Sequence, residues 1–158
     1  MQKIEIEQKY LFYYLPYNEL PFCQKTTVYR KYLSFDPEVR IHKRVFETEE
    51  RYHLTIKQEN ILKRNKIKVL LTKNEFEEIF DFIEREPLIM DVYDFKFDIK
   101  HIISFKVCKN YNIKFAEIEY SDDLDFEINS TLITKLPFIG KEVTYNKDYY
   151  AKNIYLKL

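Results

Sequence analysis

Charged and apolar residues alternate through the first strand-length stretch of the chain, Ile4-Glu5-Ile6-Glu7-Gln8-Lys9. On a strand, residues two apart share a face, so Glu5, Glu7 and Lys9 fall on one side and Ile4 and Ile6 on the other. The same period recurs over residues 3–10, 25–35, 38–46, 50–58, 61–71, 88–97, 101–108 and 112–121, which predicts about eight strands. Short connections at 35–38, 47–50 and 58–60 predict hairpins and a largely antiparallel sheet. Between the fifth and sixth strands the period becomes helical: Phe76, Ile79, Phe80 and Ile83 follow Thr72 and Glu75, which are spaced as a capping box. A second helix is expected over about 146–155, and a short helical turn over 122–127. The chain reads as one domain, 1–158, of α+β class but mainly β. Closing its sheet into a barrel would remove the edges and give the charged faces an interior.

Those charged faces recur. Arg40, His42 and Arg44 share one; His53, Thr55 and Lys57 another; Arg64, Lys66 and Lys68 a third; and Glu117 and Glu119 a fourth, opposite Ala116, Ile118 and Tyr120. A solvated exterior would explain the alternation. A water-filled interior lined by carboxylates and by Arg and Lys would instead suit a polyphosphate with its metal ions. Mg²⁺ takes oxygen ligands, usually a few carboxylates with waters and phosphate oxygens. Glu5, Glu7 and a third carboxylate could hold such an ion, while Lys9, Arg40, Lys57 and Arg64 neutralise phosphate. Without ligand these like charges repel, so replacing Glu5 and Glu7 by Gln is expected to relieve strain.

Composition narrows the alternatives. Lys plus Arg and Asp plus Glu number 26 each, so no global field gathers nucleic acid or anionic membrane, and any anion site is local. The single glycine, Gly140, excludes glycine-rich phosphate loops, which leaves phosphate binding to side chains. No apolar run reaches membrane-spanning length and no leader pattern opens the chain, which predicts a soluble, cytoplasmic protein without membrane contact. Cys23 and Cys108 lack metal spacing and are expected as reduced core thiols. His42, His53 and His101 are expected as polar or hydrogen-bonded residues, not zinc ligands. Tyr149 and Tyr150 are expected to pack over the barrel, with no sequence-specific nucleic-acid binding.

Several of these segments resemble the CYTH superfamily, the triphosphate tunnel metalloenzymes. "IEIEQK" looks like its ExExK signature, and Tyr32-Leu33 and "VRIHKR" like its second and third strands. "YHLTIK" looks like its Y-x-L-T-x-K strand, "AEIEY" (116–120) like its acidic strand, and "PFIGKEVTYNKDYY" from Pro137 like its P-x-x-G-x-E-V-T segment. The resemblance implies an eight-stranded antiparallel closed β-barrel with peripheral helices, binding a triphosphate-containing small molecule with Mg²⁺ or Mn²⁺. By carry-over, Glu5, Glu7 and Glu119 match metal-binding positions. Lys9, Arg40, Lys57 and Arg64 match phosphate-binding positions, with Lys66 and Lys68 beside them, and Glu117 and Glu142 match acidic positions that help hold metal and water. The implied activity is hydrolysis of inorganic tripolyphosphate or a nucleoside triphosphate. The alternatives are a diverged non-catalytic binding tunnel and, further off, a class IV-type adenylyl cyclase; a homodimer is left open. The chain departs from the family where R-x-E-x-E reads "RNKIK", so that Lys66 and Lys68 replace two carboxylates. His42 stands where Arg is frequent, Met90 and Val92 where a K-x-R pair is expected, and Ser104 and Lys106 on the strand expected to be acidic.

Overall fold

Alternating faces of this kind need two different surroundings, and a sheet closed on itself provides them. The computed structural model describes residues 2–58 and 60–158; the expected connection at 58–60 includes Glu59, which lies outside the described residues. The strands are β1 (Gln2–Phe12), β2 (Phe22–Phe35), β3 (Glu38–Val45), β4 (Glu50–Lys57), β5 (Lys63–Leu71), β6 (Leu88–Lys96), β7 (Ile102–Cys108), β8 (Lys114–Tyr120) and β9 (Ile139–Glu142). The first eight form a closed antiparallel barrel in the order β5-β4-β3-β2-β6-β7-β8-β1, with β1 pairing back onto β5. The two pairings of β1 overlap at Ile6: Gln2 to Ile6 meet β5, and Ile6 to Tyr10 meet β8.

β9 was not expected from the sequence. Its four residues are too short to show a period, and they stand because they add to β1 at Tyr10 and Phe12, beyond the reach of β5. Gly140 lies there against Leu11, where an added Cβ would come within 3.3 Å of the Leu11 Cβ and carbonyl oxygen.

The apolar faces point outward on one half of the barrel and inward on part of the other. Outside, Ile6, Tyr10, Phe12, Phe105, Ile118 and Tyr120 form a buried cluster. It is covered by α2 (Asp123–Ile133) through Phe126 and Ile133. Inside, Val28, Tyr32, Leu88, Met90, Val92 and Phe115 form a second cluster, closed by Ile154 and Tyr155 of α3 (Ala151–Leu156). Burying each such side chain is worth roughly 1.5–3 kcal/mol. The interior is therefore apolar on the β2–β6 wall and charged on the walls built by β1, β3, β4, β5 and β8.

The helices follow their caps. α1 (Lys73–Phe82) has the predicted box: Glu75 N–H donates to Thr72 Oγ1, and Thr72 N–H to Glu75 Oε1, both at 3.2 Å. Its other end is held from the barrel wall by Lys31, whose Nζ donates to the Phe80 and Ile83 carbonyls at 2.9 and 2.7 Å, where the helix dipole favours a cation. α2 extends past the short turn expected at 122–127. Asp122 caps it by accepting from Asp125 N–H. Its second half, Ile128 to Ile133, is rich in β-branched and polar residues of modest helix propensity and is carried by packing on the barrel. The segment expected as one helix over 146–155 divides into a 3-10 turn (Lys147–Tyr149) and α3. Cys108 is buried as expected, but Cys23 is exposed.

His101 pins α2 to the β6–β7 turn. Its Nδ1 lies 2.8 Å from Asp98 and its Nε2 2.7 Å from Asp125, and the ring is 4% exposed. Burial alone would raise the Asp125 pKa, but hydrogen bonds from Ser121, Asn129 and His101 pull it down to about 2. A carboxyl depressed in the folded state contributes stability above its ordinary value of 3.8 and loses it as pH falls towards 2. Asp125→Asn is therefore expected to lower the thermal unfolding midpoint at pH 7 and to flatten the loss of midpoint between about pH 4 and pH 2. Unfolding curves at a series of pH values check this, and an unchanged midpoint at pH 7 would contradict it.

Candidate ligand tunnel

The register of β1 decides what meets inside the barrel. Glu5 lies opposite Arg64 of β5, and Glu7 and Lys9 lie opposite Glu119 and Glu117 of β8. Glu5 is 2% exposed. Its Oε1 is 2.9 Å from Lys57 Nζ and 3.6 Å from Arg64 Nε, and its Oε2 is 2.5 Å from Lys66 Nζ. Burial would raise its pKa, but the Lys57 and Lys66 ammoniums outweigh that and hold the carboxyl far below the usual range. Lys66 also lies 3.7 Å from Glu119 Oε1. Glu119 is the more open member, with a further pair to Lys3 at 3.5 Å.

Glu7 is in the opposite condition. It is buried and makes no ion pair among the described residues, and burial, then the Glu117 and Glu5 charges, raise its pKa. Two carboxylates directly opposite across a strand pair, as Glu7 and Glu119 are, repel. Carboxylate oxygens of Glu5, Glu7 and Glu119 all lie within 4.8 Å of one another.

The facing wall has the converse imbalance. A cavity of about 570 Å³ is lined by Glu7, Lys9, Arg30, Arg40, Lys57 and Arg64 among others, and Tyr150 and Lys152 stand at its α3 side. A second, of about 330 Å³, is lined by His42, Arg44, Lys66 and Lys68 on one side and by Val28, Met90 and Val92 on the other. Arg30, Arg40, Lys106, Glu117 and Glu119 line both. Arg40 and Arg64 share Glu38, at 3.4 and 3.8 Å. Arg30 is 5% exposed and makes no ion pair among the described residues, and its Nε has no hydrogen-bond partner. Excess positive charge shows in the neighbours. Burial and then the Arg30 and Arg40 charges hold His42 well below 6.5. Burial and then Lys66 and Arg44 push Lys68 down to about 8.

Of the residues singled out in the sequence, Glu5, Glu7, Lys9, Arg40, Lys57, Arg64, Lys66, Lys68, Glu117 and Glu119 all face this interior. Glu117 is engaged there: Lys106 Nζ lies 2.5 Å from Oε2 and Lys9 Nζ 3.6 Å from Oε1. Lys9 also donates to the Tyr149 carbonyl at 3.0 Å. Glu142 is not brought to the tunnel. Its carboxylate accepts from Gln8 and Thr144, and Gln8 belongs to the outer face, where Tyr10 and Tyr120 donate to it. Arg30 and Glu38 were missed, although Thr26, Val28, Arg30 and Tyr32 alternate on β2; that face is mostly uncharged, so its one guanidinium gave little signal. Met90 and Val92 do face inward, at the register expected from the sequence.

A divalent cation fits the acidic end by donor chemistry. Three carboxylates offer hard oxygen ligands within a small space, and one of them, Glu7, feels Lys57 and Lys9 but makes no direct ion pair among the described residues.

A closed antiparallel barrel with basic and acidic side chains turned inward defines a tunnel for a charged ligand. Comparison with solved structures agrees. Over 98% of its length the chain is similar to the crystal structure of the inorganic triphosphatase NE1496, 95% of which is covered (TM-score 0.62, 22% identity). Over 87% it is similar to the PH1819 protein from Pyrococcus horikoshii OT3, 92% of which is covered (TM-score 0.67, 18% identity). Protein-family models and curated proteins gave no match. What the chain shares with these structures is the fold, a closed antiparallel barrel matched over nearly its whole length.

The two buried glutamates should respond oppositely to neutralisation, which corrects the expectation that removing both relieves repulsion. Glu5→Gln strands Lys57 and Lys66 and is expected to cost about 3–5 kcal/mol of stability. Glu7→Gln removes a buried charge that desolvation, Glu117 and Glu5 disfavour more than Lys57 and Lys9 support it, and is expected to raise the unfolding midpoint in metal-free buffer. Thermal unfolding of the two single variants in chelator checks both signs.

Proposed function

We propose that the tunnel binds a triphosphate compound together with a divalent cation, Mg²⁺ or Mn²⁺, and hydrolyses its terminal phosphoanhydride. One observation carries this reading: the two walls are unbalanced in opposite senses, with a buried guanidinium (Arg30) and a buried carboxylate (Glu7) lining the same cavity and neither making a direct ion pair among the described residues. A metal–polyphosphate complex supplies both missing charges. Likeness to a structure described as an inorganic triphosphatase supports the ligand class.

Glu7, Glu119 and Glu5 would hold the ion. When bound, it supplies Lewis-acid polarisation of phosphoryl oxygens. Arg30, Arg40, Lys57 and Arg64 neutralise the phosphate chain and stabilise charge on its oxygens in the transition state, where donors already fixed in place act strongly. Glu38 and Glu5 hold Arg40, Lys57 and Arg64 in place before the ligand arrives. Glu117 fixes Lys9 and Lys106 at the cavity they share.

A second reading, binding without turnover, is favoured by the engagement of Glu117 with two lysines and by the outward position of Glu142. The two carboxylates expected to orient water are thus both occupied. Phosphate release from tripolyphosphate and ATP with Mg²⁺ or Mn²⁺ separates the readings. Hydrolysis predicts release that Glu7→Gln reduces by at least about a hundredfold. Calorimetric binding without release would support the second reading, and no binding of either compound would contradict both.

A further inference from the structure

Lys66 lies inside the acidic cluster. Its Nζ is 2.5 Å from Glu5 Oε2 and 3.7 Å from Glu119 Oε1, so it touches two of the three carboxylates that converge within 4.8 Å. No other cation among the described residues pairs with both: Lys57 and Arg64 approach Glu5 from its Oε1 side, and Lys3 meets only the outer oxygen of Glu119. An ammonium has donors and no lone pair, so it cannot join a metal's ligand shell. It can only satisfy the same oxygens or repel the ion. The Lys66 side chain is 10% exposed, which leaves that repulsion poorly screened by solvent.

We propose that Lys66 is a built-in cation that competes with the divalent ion for the Glu5–Glu119 edge of the cluster, and so sets the tunnel's metal affinity and leaves Glu7 as the ion's principal ligand. This inference rests on the divalent-cation reading above. The geometry of the cluster agrees: Lys66 occupies Oε2 of Glu5, the oxygen that Lys57 and Arg64 leave open, while Glu7, the third carboxylate of the cluster, makes no ion pair among the described residues. The second cavity, which Lys66 also lines, gives a flexible four-carbon stem room to withdraw when an ion enters.

The test is Mn²⁺ binding to the metal-free protein, read from the loss of the free-ion electron paramagnetic resonance signal, with no phosphate compound present. Lys66→Met is expected to tighten binding about tenfold or more, because it removes a poorly screened like charge from the ion's edge. Lys3→Met, which removes an equal charge from the half-exposed pair on Glu119, is expected to change it by no more than about twofold. Lys66→Gln, which keeps a donor for Glu5, carries the same test if the Met variant does not fold. Mn²⁺ should also raise the unfolding midpoint of the Lys66 variant more than that of the native chain. If the native chain binds Mn²⁺ through Glu7 and the Lys66 variants bind it equally or more weakly, the competition is overturned and the metal reading survives. If neither the native chain nor the Lys66 variants bind Mn²⁺, both fall.

Discussion

The buried carboxylate of Glu5 is held by groups from two neighbouring strands, Lys57 of β4 and Arg64 and Lys66 of β5. β1 and β5 are the pair that closes the barrel, so the seam is joined by backbone pairing and by this ion cluster together. Burying one charge alone costs several kcal/mol, and a cluster becomes tolerable only when each member finds partners of good geometry. Through their ion pairs with Glu5, Lys57, Lys66 and Arg64 are fixed as a positive wall, and Glu38 does the same for Arg40. The barrel thus folds around charges that are mostly paired, and the few that are not define what it lacks.

That residue of unpaired charge is directional. The β2–β6 side of the interior is apolar and closed by Tyr155 and Ile154, which leaves the charged walls to face each other across the open part. Arg30 enters the cavity from the apolar side and Glu7 from the acidic side. A ligand that satisfies both must carry negative charge at one end of its contacts and bring a cation to the other. His42 and His53 contribute no charge at neutral pH, because burial and the surrounding cations hold His42 well below its usual value and His53 at about 4. The positive field therefore comes from Arg and Lys, with the arginines its most persistent part, because burial lowers the pKa of Lys9 and pushes Lys57 down to about 7 and Lys68 down to about 8.

Much of this was legible in the residues. A strict period of two sorts a strand's faces, so the eight barrel strands and the charged set Glu5, Glu7, Lys9, Arg40, Lys57 and Arg64 could be read from it, while the family resemblance implied that those faces turn inward, since a solvated exterior gives the same alternation. The α1 capping box was equally plain. What escaped had no local signal. β9 depends on the edge β1 leaves free, and the far half of α2 on packing. Arg30 stands alone on a largely uncharged face. Glu142 shows how spacing misleads: its position in a motif drew it into the site, but its strand pairs with β1 beyond the stretch that β5 covers, and its exposed carboxylate accepts from Gln8 and Thr144. The contact of Lys66 with Glu5 and Glu119 needed three strands to be placed relative to one another.

The most direct test of the charge pattern is anomalous diffraction from crystals of the chain equilibrated with Mn²⁺. The expected result is a peak bonded to the Glu7 carboxylate, within coordinating distance of Glu119, and facing Arg30 and Arg40 across the cavity. Crystals that bind Mn²⁺ only on the outer surface, with Glu7 left bare, would contradict it.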